Sequence, residues 1–131
     1  MSGTKVFAVD LDGTLAYYDG FRGHAHIGEP VLNMVAIVKT MLEQGHQVWI
    51  FTSRVAPIES WMEEMKWTEA EQDARMRETH AAIRDWCSKH IGQVLPITAT
   101  KWRMFHEFWD DRAVYVPKNG EYSDPTMLQG S

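Results

Sequence analysis

Asp10 and Asp12 follow the apolar stretch Val6–Val9 and precede Gly13 and Thr14. Two carboxylates one residue apart at the end of a buried strand repel each other, and burial worsens the repulsion. A second carboxylate pair, Asp110-Asp111, follows the apolar-aromatic stretch Met104–Trp109, and a hydroxyl, Thr52, follows Gln47–Phe51. Lys101 stands in the loop before the last of these stretches. A hard divalent cation would relieve the clustered carboxylates, because Mg²⁺ takes one or two carboxylates together with water and phosphate oxygens. A hydroxyl, an ammonium and a metal ion together make a site for a phosphoryl group.

That chemistry requires elements that bring distant residues together. Val6–Val9 reads as a buried strand, Gln47–Phe51 as a second and Met104–Trp109 as a third. "VLPIT" reads as a short edge strand because Pro96 disfavours a central position, and "AVYVP" as a further strand. The segment from Gly28 to Gly45 reads as a helix. Pro30 sits in its first turn, Val31, Met34, Val35, Val38, Met41 and Leu42 form one face, and Gly45 takes the C′ position. "VAPIESWMEEMKW" reads as a loop and a short acidic helix. Thr68 and Glu71 form a capping-box pattern opening a helix with Met76, His80, Ile83, Cys87 and Ile91 on one face, stopped by Gly92. Strands alternating with helices predict an α/β, three-layer Rossmann-like fold with a mainly parallel sheet. Ligands bind at the carboxyl ends of such strands, so Asp10, Thr52 and Asp110 are expected to face one crevice.

The rest of the chain narrows the class. With 131 residues, a single domain (1–131) is expected, with a loose polar tail from about residue 118. The chain is 44% hydrophobic and 24% charged, an ordinary globular balance. No apolar run approaches the ~18 residues of a membrane span. The N-terminus lacks a signal-peptide pattern, and the lone Cys87 fits a reducing cytoplasm. Its place on an apolar stripe reads as a buried structural thiol. A net charge of −5 argues against a general nucleic-acid coat. His24 and His26, two residues apart without Cys or Glu at ligand spacing, are a weak zinc signal. Trp61, Trp67 and Trp86 read as core packing rather than a stacking platform for bases.

Taken in order, "DLDGT" after an apolar strand, "VWIFTS" with its strand-terminal Thr, a later Lys and "FWDDR" resemble the haloacid dehalogenase-like phosphatase superfamily. The resemblance spans Val6 to Arg112. It implies that Asp10 is the nucleophile of an aspartyl-phosphate intermediate and that Asp12 is the general acid and then base. It further implies that Thr52 holds a phosphate oxygen and Lys101 neutralises charge at the phosphoryl group. The metal set would be Asp10, Asp12 (its backbone carbonyl among the ligands), Asp110 and Asp111, holding Mg²⁺. Gly13, Thr14, Ser53 and Arg54 would line the substrate, with Arg22 reaching over it.

The family closes its site with a cap. Here Leu15–Glu29 leave room for a hairpin flap turning at Asp19-Gly20, and a small helical lid is expected at 55–75. Such an open site suits a bulky phosphoester, or a small one covered by a second copy of the chain. The expected activity is hydrolysis of a phosphorylated, nucleotide-like metabolite. The small flap and "DDR" also resemble the phosphatase module of polynucleotide kinase-phosphatases, which implies a nucleic-acid 3′-phosphate as an alternative substrate. A catalytically idle phosphate- or metal-binding module is the alternative from another class.

Overall fold

The protein is described from a computed structural model, which covers residues 3–56 and 67–112. Its elements are β1 (Val6–Asp10), α1 (Leu32–Glu43), β2 (Gln47–Phe51), a 3₁₀ turn (Ser53–Val55), α2 (Glu69–His90), β3 (Ile97–Thr98) and β4 (Glu107–Trp109). The four strands form one parallel sheet in the order β3-β2-β1-β4. This is a Rossmann-like α/β arrangement with flanking helices. "AVYVP", residues 57–66 of the acidic helix with Trp61, and the tail from 118 lie outside the described residues.

Crossover handedness fixes the layers. β1, β2 and β3 are laid down in one direction, and right-handed crossovers then put α1 and α2 on the same face. Their apolar sides share one core. Phe7, Val9, Val48 and Ile50 of the sheet pack with Val35 and Val38 of α1 and with Ile83 and Cys87 of α2. The chain then returns past β2 and β1 to add β4, which carries residues 99–106 across the opposite face. No helix forms in that return. Phe105 fills the space instead, edge-on to Trp49 at 5.8 Å and to Phe108 at 5.4 Å, and Phe108 meets Phe51 at 5.9 Å. β1 is thus covered on both faces, and Phe7, Ala8 and Val9 are all buried.

Several expected elements differ in extent. β4 begins at Glu107, not Met104, because Phe105 leaves the strand direction to fill the second face. Pro30 lies ahead of α1 and bridges Ala16, and Val31 takes the N-cap place. Gly45 follows α1 with φ of 86°, as a C′ residue requires. β3 is an edge strand of two residues. The capping box opens α2 as expected: Thr68 accepts from Glu71 N at 3.1 Å. The buried stripe of α2 is Thr79, Ile83, Trp86 and Cys87, not Met76 and His80, because its first turns border an open pocket. Residues 69–75 of the expected lid are these opening turns. No described helix is long and apolar enough to cross a membrane.

The flap is not a hairpin. One antiparallel bridge, Ala16–Pro30, and the bond from Tyr17 N to Glu29 O at 2.8 Å close its neck. Residues 17–29 then run as a loop without a strand ladder. Asp19-Gly20 is a bend within it, and the hydrogen-bonded turn lies later, where His26 N donates to Gly23 O.

Candidate functional site

The register of the sheet builds the site. Val9 pairs with Trp109, so the next residues along, Asp10 and Asp110, leave the sheet side by side. This is the point where strand order reverses, the usual position of a binding crevice in such sheets. Beyond β1 the chain turns tightly, with Leu15 N donating to Leu11 O at 3.0 Å and Ala16 N to Leu11 O at 2.8 Å. Fully buried Leu11 and Leu15 anchor that turn. Gly13 sits in it with φ of 88°, and a Cβ there would lie 2.6 Å from Asp111 Oδ2. The "DGT" spacing therefore lets Asp111 close over the turn. Thr14 completes the link: its Oγ1 accepts from Asp111 N at 2.9 Å. The same oxygen lies 3.4 Å from Asp10 Oδ2 and 3.3 Å from Asp111 Oδ1, so its single proton serves one carboxylate at a time.

Asp10, Asp110 and Asp111 each bring one carboxylate oxygen within 4.8 Å of the others. Burial, then the neighbouring charges of Asp110, Asp111 and Asp12, push the Asp10 carboxyl up to about 7. Asp10 is thus held protonated well above the usual carboxylate range when no cation is bound.

Asp12 points elsewhere. Arg54 grips it with both arms, Nε to Oδ2 at 2.7 Å and Nη2 to Oδ1 at 2.9 Å. Arg54 Nη1 also donates to the carbonyls of Gly23 and His24, tying the loop to the site. The sequence offers no local signal for this pairing, because the partners are 42 residues apart. His24 adds a second tie, pairing with Glu78 of α2.

Thr52 follows β2, is 2% exposed, and its N donates to Thr98 O at 2.9 Å. Its hydroxyl accepts from Arg54 N at 3.2 Å and so caps the 3₁₀ turn. Ser53 borders the pocket beside Asp12. Lys101 is exposed, with Nζ 5.8 Å from the centre of the Phe108 ring. Phe108 is in register with Ala8, two residues before Asp10 on the same face. Lys101 makes no ion pair among the described residues. Arg22 is directed to its own loop, pairing with Asp19 at 2.7 Å in solvent, and does not line the pocket. His24 and His26 bring no metal-ligand group together among the described residues. Cys87 is buried, and burial pushes its thiol up to about 11, which suits a structural role.

A pocket of about 520 Å³ opens beside Asp12. Its walls come from the loop (Tyr18, Phe21, His24), the 3₁₀ turn (Ser53, Arg54) and the start of α2 (Gln72, Arg75, Met76).

Fold and crevice together define a Rossmann-like α/β domain with an acidic cluster at its strand-order reversal. No family model matches the chain, and no curated protein matches it. A conserved protein from Bacteroides thetaiotaomicron, known by its solved structure, is similar over 96% of this chain and 87% of its own. Its identity is 18% and its TM-score 0.50, a likeness of fold alone.

Proposed function

We propose that the protein is a Mg²⁺-dependent phosphomonoester hydrolase of the haloacid dehalogenase-like type, working through Asp10 in a reducing, cytoplasmic compartment. The observation that carries this reading is the convergence of Asp10, Asp110 and Asp111 within 4.8 Å, beside a pocket walled by Asp12. Three carboxylate oxygens suit a hard cation, and a nucleophile kept protonated to about 7 is one that a cation would ionise. Asp10, Asp110 and Asp111 would hold Mg²⁺. Bound there, the ion supplies charge for the phosphoryl oxygens and the ionised form of Asp10.

The residues then act in two halves. An oxygen of Asp10 attacks phosphorus, and the bond to the leaving oxygen breaks as Asp12 delivers a proton to it. Water next attacks the aspartyl-phosphate, Asp12 takes the water's proton, and the Asp10–phosphorus bond breaks. Asp12 has to release one of its two Arg54 bonds and take a proton from solvent before it can act as the acid, and it recovers that proton from the attacking water in the second half. Arg54 is therefore read as a positioning residue rather than a phosphate ligand. Thr14 orients Asp10 and Asp111, and Thr52 N stays engaged by the sheet.

The Arg54–Asp12 grip also favours a second reading, in which Asp12 is locked and the domain binds phosphate or metal without turnover. One assay separates the two. Hydrolysis of p-nitrophenyl phosphate is expected with Mg²⁺, to fall at least about 100-fold in EDTA and to return on adding Mg²⁺. Activity indifferent to EDTA would remove the metal from the account, and no hydrolysis under any condition would favour the idle binder.

A further inference from the structure

We infer that the pocket beside Asp12 receives a planar nitrogen heterocycle carried by the leaving group, so that the substrate is a monomeric nucleotide. This deepens the phosphatase reading and rests on it for the position of the phosphate. The pocket's volume of about 520 Å³ lies within the ordinary range for small-molecule sites. Asp12 forms part of its wall, so a group in the pocket lies beside the oxygen that Asp12 would protonate.

Two independent features of the wall select a flat ring with N–H groups. The first is aromatic. Tyr18 and Phe21, both largely exposed, and Trp67 line the space, and the Arg75 guanidinium stacks 4.0 Å above the Trp67 ring. Rings and stacked guanidinium planes favour flat, polarisable partners. The second is polar. Gln72 lines the pocket, and its buried Oε1 has no hydrogen-bond partner among the described residues. A buried acceptor left alone is costly, and an N–H on the edge of a heterocycle would satisfy it. A sugar phosphate offers hydroxyls but neither a flat aromatic ring nor a ring N–H, and a simple aryl phosphate offers a ring but no N–H. Walls from three segments line a space of about 520 Å³, room for one nucleoside rather than a run of them, which favours a monomer over a polynucleotide end.

The test compares kcat/KM for the adenosine, guanosine, cytidine and uridine 5′-monophosphates with that for ribose 5-phosphate, the same molecule without its base. At least one nucleotide is expected to exceed ribose 5-phosphate about tenfold or more. Gln72→Leu and Trp67→Ala are each expected to lower that preference ratio about tenfold, with melting curves confirming the fold and Gln72→Met as a second isosteric variant. Equal kcat/KM with and without the base, or preference ratios unchanged in these variants, overturns the inference. So does a 3′-phosphorylated oligonucleotide that outcompetes every mononucleotide more than tenfold. Calorimetric titration of the Asp10→Asn protein with the same four nucleotides keeps this failure apart from failure of the phosphatase reading. Binding that Gln72→Leu weakens, in a protein whose wild type hydrolyses nothing, overturns the phosphatase and upholds the pocket. No binding of any nucleotide overturns the pocket.

Discussion

Asp10→Asn is expected to cut phosphatase turnover at least about 10³-fold while making the metal-free protein more stable at pH 8. The two effects have one cause. Asp10 is packed against Asp110 and Asp111 and feels the charge of Asp12, and burial with these charges raises its carboxyl from 3.8 to about 7. The unfolded chain therefore gives up this proton near 3.8 and the folded chain near 7. Between these values the unfolded state holds fewer protons, so stability falls as pH rises through the window. The group's favourable contribution is complete below about 3.8, and the loss is complete above about 7. A shift of this size corresponds to at most about 4 kcal/mol, which solvent screening in an open crevice reduces to about 1–2 kcal/mol. Asn carries no charge and escapes the penalty. The stabilisation by Asp10→Asn should thus be seen at pH 8, vanish towards pH 4, and shrink when Mg²⁺ is added to the wild type. Denaturant unfolding of both proteins at the two pH values, with and without Mg²⁺, checks the sign. A variant less stable than wild type at pH 8 without metal would contradict the crowded-carboxylate account.

Gly28→Ala is expected to be the most destabilising glycine substitution, by about 3 kcal/mol, or roughly 10 °C in melting temperature. A Cβ at Gly28 would lie 2.0 Å from the carbonyl oxygen of Tyr17, a backbone atom that cannot step aside without moving the loop's neck. That neck is held by Tyr17 N to Glu29 O and by Val31 N to Leu15 O, both 2.8 Å. Trp86 Nε1, on the buried stripe of α2, donates to Gly28 O at 2.9 Å, a bond that a shift of the neck would stretch. Gly45→Ala is the comparison. Its φ of 86° strains an alanine, yet its Cβ meets nothing within 4 Å, so the cost there is about 1 kcal/mol. Melting curves rank the two, and equal losses would mean that the loop's neck yields freely.

Much of this arrangement is legible in the residues. A four-residue apolar run ending on Asp10, Gly45 closing α1, and the Thr68–Glu71 box all act locally, and the structure follows them. The alignment of Asp10 with Asp110 is also legible, because each stands directly after an apolar strand. What escapes the sequence depends on contacts across it. Asp19-Gly20 reads as a hairpin turn, but a hairpin needs flanking residues to pair, and here pairing stops at Ala16–Pro30. Met104–Trp109 reads as one strand, but Phe105 is drawn off to Trp49 on the face that has no helix in its crossover. Met76 fits the α2 stripe by spacing, yet it borders the pocket instead. Arg54 reads as a residue beside Thr52 contacting substrate, and only the fold brings it onto Asp12.

The most direct test is to look for the phosphoryl group on Asp10. The protein is mixed with p-nitrophenyl phosphate and Mg²⁺, quenched in acid within one turnover, digested and mapped by mass spectrometry. A phosphate labile to hydroxylamine on the peptide carrying Asp10, missing from Asp10→Asn and from reactions in EDTA, is the predicted result. Turnover with no such phosphate on that peptide, or turnover that persists in Asp10→Asn, would contradict the account.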